Sequence, residues 1–223
     1  MIGTPRVHYR VTDSTNERAR ELAAARAPHG TLVTADEQIA GRGRQGRAWT
    51  AAPGSALLMS LVLRDLRETL PLAAAVAVCE ALPVSAEIKW PNDIWVRRRK
   101  LAGILVEGRP QEGWAVLGIG VNVRTTEFPE ELRETATSLV LEGVDLTTED
   151  VLERVLAALA EWLPRPSADV LAAWRERDAL LGRPLRWANG SGVGRGVDET
   201  GALLVDTPAG RVALDAGDVH LLR

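Results

Sequence analysis

Seven consecutive residues stand out for the chemistry they could do: Gly41-Arg42-Gly43-Arg44-Gln45-Gly46-Arg47, with Trp49 two positions on. Three arginines among three glycines make an anion site. Glycine lets backbone N–H groups come close to an oxyanion, and guanidinium forks bind its oxygens in pairs. The stretch also satisfies the dinucleotide pattern G-x-G-x-x-G, but that fingerprint follows a strand directly and opens a helix. Here residues 49–54 continue as loop and the next element reads as a strand, so no helix dipole faces the anion, and a nicotinamide-dependent dehydrogenase is set aside. Two readings stand beside a phosphate or carboxylate site: single-stranded nucleic acid stacked on Trp49, and a solvated loop without a ligand.

The second constellation holds both lysines. Every one of the 27 basic residues except Lys89 and Lys100 is arginine, so a position that stays lysine points to a need for a compact ammonium on a flexible stem. The two lysines lie in Lys89-Trp90-Pro91-Asn92-Asp93 and Lys100-Leu101-Ala102-Gly103-Ile104-Leu105-Val106-Glu107. A turn fixed by Pro91 accounts for Asn92 and Asp93. It does not account for the lysines, nor for Gly103 inside a β-branched run, where a missing side chain marks a close approach. Gly118-Ile119-Gly120-Val121-Asn122 again sets glycines and one polar side chain in a strand, and a β-bulge explains it about as well.

The elements that must position these groups follow from periodicity and punctuation. Residues 7–11 alternate like a strand, and Ser14 with Glu17 three on reads as a capping box opening an Ala-rich helix to about Arg26. A second strand over 31–35 feeds a long loop over 38–53. Residues 55–63 read as a strand, 70–82 as a buried helix with no polar face before Glu80, and 88–124 as a β-meander with turns at 91–93, 97–99 and 108–113. After an irregular stretch over 128–140, helices are expected from just after Thr147 to about Leu163 and over 167–177. Beyond Leu181, short β-like runs at 185–187, 193–197, 203–206 and 212–214 suggest a small β-barrel-like module docked on the main unit.

Composition bounds the rest. A chain of 223 residues, 46% hydrophobic and 26% charged, builds one core or one core plus a small module and is neither disordered nor fibrous. The formal charge of −3 and pI near 5.7 leave no global positive field for DNA or an anionic membrane. Cys79 stands alone, which excludes an internal disulfide and fits a reducing compartment. No signal peptide is legible in residues 1–10, and the longest apolar run, 70–79, falls short of the ~20 residues that span a bilayer. A soluble, cytoplasmic protein is the expectation.

Ser14-Thr15-Asn16, Gln38, the loop 41–49, Lys89-Trp90-Pro91-Asn92-Asp93, the run from Lys100 to Glu107 and the run from Gly118 to Asn122 together resemble the biotin protein ligases, also called biotin–[acetyl-CoA-carboxylase] ligases. They stand in the family's order and spacing, and the resemblance spans residues 7–223. It implies an α+β fold: a mixed, mostly antiparallel sheet with flanking helices of the class II synthetase-like kind (residues 1–176), plus a C-terminal SH3-like β-barrel (177–223). It implies activation of biotin with ATP and Mg2+ to biotinyl-5′-adenylate, with no permanently bound cofactor. The acyl group then passes to one lysine of a biotin carboxyl carrier protein, of acetyl-CoA carboxylase or a related carboxylase. By the resemblance the catalytic residues are Lys100, Arg44, Arg42 and Asp93. Biotin falls to Ser14, Thr15, Asn16, Gln38, Arg42, Gly43, Arg44, Lys100, Gly103 and Gly118, and the nucleotide to Gly41, Arg44, Arg47, Trp49, Lys89, Asn92 and Asn122. Asp93 would serve a metal or the incoming lysine, and the metal ligands are left unassigned.

The residue chemistry agrees. Hydroxyl and amide groups suit a cyclic urea, and a lysine can follow negative charge from a carboxylate to phosphorus. In the family the glycine–arginine loop closes over the adenylate, shielding it from water. Two departures are expected: no helix-turn-helix precedes Ser14, so a ligase without operator binding, and Ala48 stands where a basic residue is common. A lipoate or octanoyl ligase and an adenylate sensor without transfer are the rival readings. The oligomeric state, a homodimer included, is not set by the sequence.

Overall fold

The computed structural model describes residues 1–222. Its central sheet is built from β1 (Arg6–Thr12), β2 (Leu32–Gln38), β3 (Ala56–Leu63), β4 (Glu87–Lys89), β5 (Asp93–Val96), β6 (Arg99–Arg109) and β7 (Trp114–Asn122), in the order β1-β2-β3-β7-β6-β5-β4. Only β1 and β2 run parallel; the other pairs are antiparallel, and β4 to β7 form the expected meander.

Strand alternation divides the sheet between two faces. Leu57, Met59, Leu61 and Leu63 of β3 and Ala115, Leu117, Ile119 and Val121 of β7 enter the main core. There they meet α2 (Leu70–Ala81), α3 (Thr148–Trp162) and α4 (Ser167–Arg175). Helix α2 is buried on nearly every side because it is apolar all round, as its sequence predicts. The opposite face carries α1 (Thr15–Ala24), whose Ala19 and Ala23 pack on Val33, Val62, Trp114 and Val116. That smaller cluster covers only part of the face and leaves the stretch around Gly118 and Gly120 for the site.

The capping box predicted at Ser14 is not formed: its side chain makes no cap hydrogen bond. Glu17, the would-be reciprocal partner, is held instead by Arg20 and Arg42. Helix α1 also ends two residues short of Arg26, which takes a left-handed φ of 64°. The box appears at α3, where Asp150 N donates to Thr147 Oγ1 (3.1 Å) and Thr147 N donates to Asp150 Oδ2 (2.8 Å).

The C-terminal strands β8 (Pro184–Trp187), β9 (Gly190–Val197), β10 (Leu203–Thr207), β11 (Gly210–Leu214) and β12 (His220–Leu221) form a second, antiparallel sheet in the order β11-β10-β9-β8-β12. Its Leu185, Val197, Leu203 and Val205, with Val219 just before β12, join the main core, as expected for a module too small to stand alone. Trp90 Nε1 donates to Gly201 O at 3.0 Å, tying the second sheet to the turn between β4 and β5. No helix is long and apolar enough to cross a membrane among the described residues.

Candidate active site

The uncovered part of the sheet face is a strip of glycines. The β6–β7 register sets Gly103 opposite Gly120, Leu105 opposite Gly118 and Glu107 opposite Val116. On the other side of β7, Leu58 and Ser60 of β3 lie opposite Gly120 and Gly118. Without side chains here the sheet forms the floor of a cavity of about 440 Å³, lined from above by α1 and the loop after β2. At ~3.4 Å per residue, Gly118 to Asn122 spans about 14 Å, so the floor has two distinct ends.

At the Gly118 end lie neutral polar groups from α1 and β2. Asn16 sits so close over Gly118 that a Cβ there would lie 2.1 Å from Asn16 Oδ1. The hydroxyl of Ser60, the one polar residue in an otherwise apolar buried strand, is 2.6 Å from Asn16 Oδ1 and 2.8 Å from Thr15 Oγ1. Thr15 donates to Gln38 Oε1 through its backbone N (2.7 Å) and its hydroxyl (3.0 Å), which turns the amide nitrogen of Gln38 the other way. Ser14, buried and free of capping duty, completes this lining.

Trp49 covers the middle of the floor. A Cβ on Gly120 would meet its indole at 2.6 Å and one on Gly103 at 3.0 Å, so the gap expected at Gly103 is filled in part by this ring. Trp49 Nε1 is buried and has no hydrogen-bond partner among the described residues. The loop reaches this place by folding into a narrow hairpin: Trp49 N donates to Gly41 O (2.9 Å) and Gly43 N to Arg47 O (2.7 Å). A Cβ on Gly41 would lie 2.2 Å from Trp49 O, and Gly46 has a left-handed φ of 74°, so both positions require glycine.

Cations collect beyond Trp49. Lys100 Nζ is 2.6 Å from Asp93 Oδ1 and 5.5 Å from the centroid of the Trp49 ring. Lys89 is buried with its ammonium 5.4 Å from the Trp95 ring; burial lowers its pKa, while Asp93 and Asp218 pull it back up. Arg44 has no ion-pair partner among the described residues, and burial likewise lowers its pKa. With Lys89 buried and Arg44 half-buried beside Lys100, three cations border the same end of the cavity, which suits an anionic ligand. Arg47 is tied to the C-terminal sheet through Asp218 at 2.9 Å.

Most of the expected site residues therefore meet in one cavity, with three refinements. Arg42, expected to donate to the reacting anions, has Nη1 on Glu17 (2.9 Å) and Nη2 on Glu107 (3.0 Å), toward the Gly118 end. Asn92 and Asn122 use their amide nitrogens as braces, donating to Ile104 O (2.8 Å) and Thr137 O (3.0 Å). Gly41 shapes the hairpin and is not among the cavity-lining residues. Sequence reasoning missed Ser60, which supports the lining from below, the wall from Phe128 to Ala136 and His220 of the second sheet, and it gave no role to Gly120 and Glu107, although both stand in the motifs it singled out. Ser60 and Glu107 carried a signal, a polar group on the site face of a strand; His220 carried none.

Residues 8–123 match the biotin/lipoate A/B protein ligase family, and residues 191–222 match the biotin protein ligase C-terminal domain. The chain belongs to the biotin/lipoate A/B protein ligase family. It is 35% identical to the bifunctional ligase/repressor BirA of Bacillus subtilis over 99% of this chain and 75% of that protein. It is 33% identical to the biotin–[acetyl-CoA-carboxylase] ligase of Mycobacterium tuberculosis over 95% and 87% of the two chains. Among solved structures, the biotin protein ligase of Aquifex aeolicus in complex with biotin and ATP superposes with a TM-score of 0.84 at 29% identity, covering 99% of both chains. As a member of this family, the chain has its polar cluster, indole and cation cluster in a row along one strip of sheet.

Proposed function

We propose that this protein is a biotin protein ligase: it activates biotin with ATP and transfers the acyl group to a lysine of a biotin carboxyl carrier protein. The observation that carries this reading is the order along the floor: neutral hydroxyl and amide groups at Gly118, an indole at Gly120, and cations beyond. A molecule that fits has a neutral polar head at one end and a carboxylate meeting a nucleotide phosphate at the other. Ser14, Thr15, Asn16 and Gln38 offer the donors and acceptors a cyclic urea requires, and the sheet floor gives its chain an apolar slot. Gly43, Gly103 and Gly118 serve by leaving room. Trp49 stacks on adenine; Asn92, Asn122 and Arg47 line or brace the nucleotide end.

In the first step a carboxylate oxygen of biotin attacks the α-phosphorus, a C–O–P linkage forms, and the Pα–O bond to pyrophosphate breaks. Two anions must meet, so Lys100 and Arg44 neutralise the pair and stabilise charge as it moves to phosphorus. Lys89 adds support toward the departing pyrophosphate, and Mg2+ enters with ATP as part of that substrate. In the second step the carrier's lysine attacks the acyl carbon and AMP leaves. Asp93, beside Lys100, is suited to receive the lysine's proton. The hairpin over residues 41–49 keeps water from the mixed anhydride. Residues 1–176 supply the catalytic unit, and the module over 177–223 contributes Asp218 and His220 to its rim.

The test is biotin-dependent exchange of labelled pyrophosphate into ATP, with lipoate and octanoate in parallel. Exchange with biotin alone supports the reading. Exchange only with lipoate or octanoate, or none with any acid, overturns it.

A further inference from the structure

Glu107 ends the run that begins at Lys100, yet no role in the chemistry has been given to it. It is on the site face of β6, opposite Val116, one step beyond the Leu105–Gly118 pair that floors the polar end. Its carboxylate oxygens are divided between two elements. Oε2 accepts from Asn16 Nδ2 at 2.8 Å, and Oε1 meets Arg42 Nη2 at 3.0 Å. Asn16 lies in the first turn of α1 and faces the head-group end; Arg42 stands at the base of the hairpin that carries Arg44 and Trp49. Ser60 holds the other end of the same amide, 2.6 Å from Asn16 Oδ1. Asn16 is therefore fixed in one orientation, nitrogen toward the carboxylate and oxygen toward the hydroxyl.

We propose that Glu107 is a positioning residue that ties Asn16, at the head-group end, to Arg42, at the base of the arginine–glycine hairpin, so that both are held for biotin by one carboxylate. The inference rests on the biotin ligase reading. A ligand that engages Asn16 leans on the same carboxylate that holds Arg42, so the head-group end and the hairpin base share one support. Stability is not the main yield. The side chains of Glu107 and Arg42 are 22% and 42% exposed, and a pair that open to water contributes little to folding. Glu17, the second partner of Arg42 at 2.9 Å, belongs to α1 as well, so both carboxylates tie the hairpin to the helix that recognises biotin. Among the described residues, only Glu107 bonds Asn16 and Arg42 together.

The test is Glu107→Gln, which keeps the shape but presents one acceptor and one amide nitrogen where two donors arrive. Biotin affinity is measured by calorimetry, dissociation of biotinyl-5′-adenylate by chase, and folding by thermal melting. Arg42→Gln and the double variant are measured alongside, with Asp145→Asn, which breaks an exposed pair with Arg124, as the surface control. Loss of a hydrogen bond to a charged group predicts biotin binding weakened by roughly ten- to a hundredfold and a comparable rise in adenylate dissociation. The melting temperature should match that of the control. The double variant should lose adenylate no faster than Arg42→Gln alone, because both substitutions break the same link. Wild-type affinity and adenylate retention in Glu107→Gln overturn the proposal, as do additive effects on dissociation or losses that follow a lowered melting temperature. If the wild-type protein itself binds no biotin, the ligase reading has failed, not the coupling.

Discussion

Gly118→Ala isolates the head-group end with a single methyl. The added Cβ would stand 2.1 Å from Asn16 Oδ1, 2.8 Å from its Cγ and 3.0 Å from its Nδ2. Reaching ordinary contact requires the amide to retreat by about 1 Å or more. Asn16 cannot retreat without stretching its 2.6 Å contact to Ser60 and its 2.8 Å bond to Glu107. One neutral hydrogen bond and one to a carboxylate together contribute about 2–4 kcal/mol, so biotin binding should weaken by roughly 30- to 1,000-fold. Gly108→Ala is the matched control on β6, since its Cβ would meet its nearest neighbour at 3.7 Å, ordinary contact. Biotin affinity by calorimetry and ATP affinity by equilibrium dialysis, each beside a thermal melt, separate the outcomes. Biotin binding should suffer, ATP should be held nearly as before, and Gly108→Ala should match wild type. Unchanged biotin affinity in a folded Gly118→Ala protein would refute the placement of the head group over β7.

Three further predictions address other parts of the molecule. Lys100→Arg keeps the charge but loses the compact ammonium, and pyrophosphate exchange should fall about a hundredfold or more with the fold intact; near-normal exchange would remove Lys100 from the reacting centre. Burial pushes the Asp178 carboxyl up to about 6 from an ordinary 3.8, and its Oδ2 has no hydrogen-bond partner among the described residues. The folded protein therefore prefers the protonated acid: its stability contribution is full below pH 4 and is lost as pH rises through 6, by about 3 kcal/mol. Asp178→Asn should stabilise the protein at pH 8 and lose that advantage by pH 4 in denaturant titrations, whereas an equal gain at both pH values would contradict the cause given. Thr147→Ala removes the cap of α3 and should cost about 1 kcal/mol, read as a melting temperature lower by about 2–4 °C, and no change would mean the cap is not formed in solution.

The strand and helix order was legible because each element carries its own period: apolar unbroken for α2, alternating for β1, short punctuated runs for the second sheet. The meander was legible from its turns. The floor of the site was legible only in part. Gly103 pointed to a close approach, but that Trp49 fills the space depends on the β6–β7 register and on a hairpin brought in from another part of the chain. Ser14 and Glu17 carry the spacing of a capping box, yet two arginines captured the Glu17 carboxylate, and nothing within four residues reveals Arg42. Asp218 and His220 reach the site because the second sheet docks on the first, a fact of packing that no local pattern states.

The most direct measurement is the mass of a biotin carboxyl carrier domain after incubation with this protein, biotin, ATP and Mg2+, beside a reaction without ATP. An ATP-dependent gain of one biotin on a single lysine is expected. No gain on any carrier domain, with no pyrophosphate released, would contradict it.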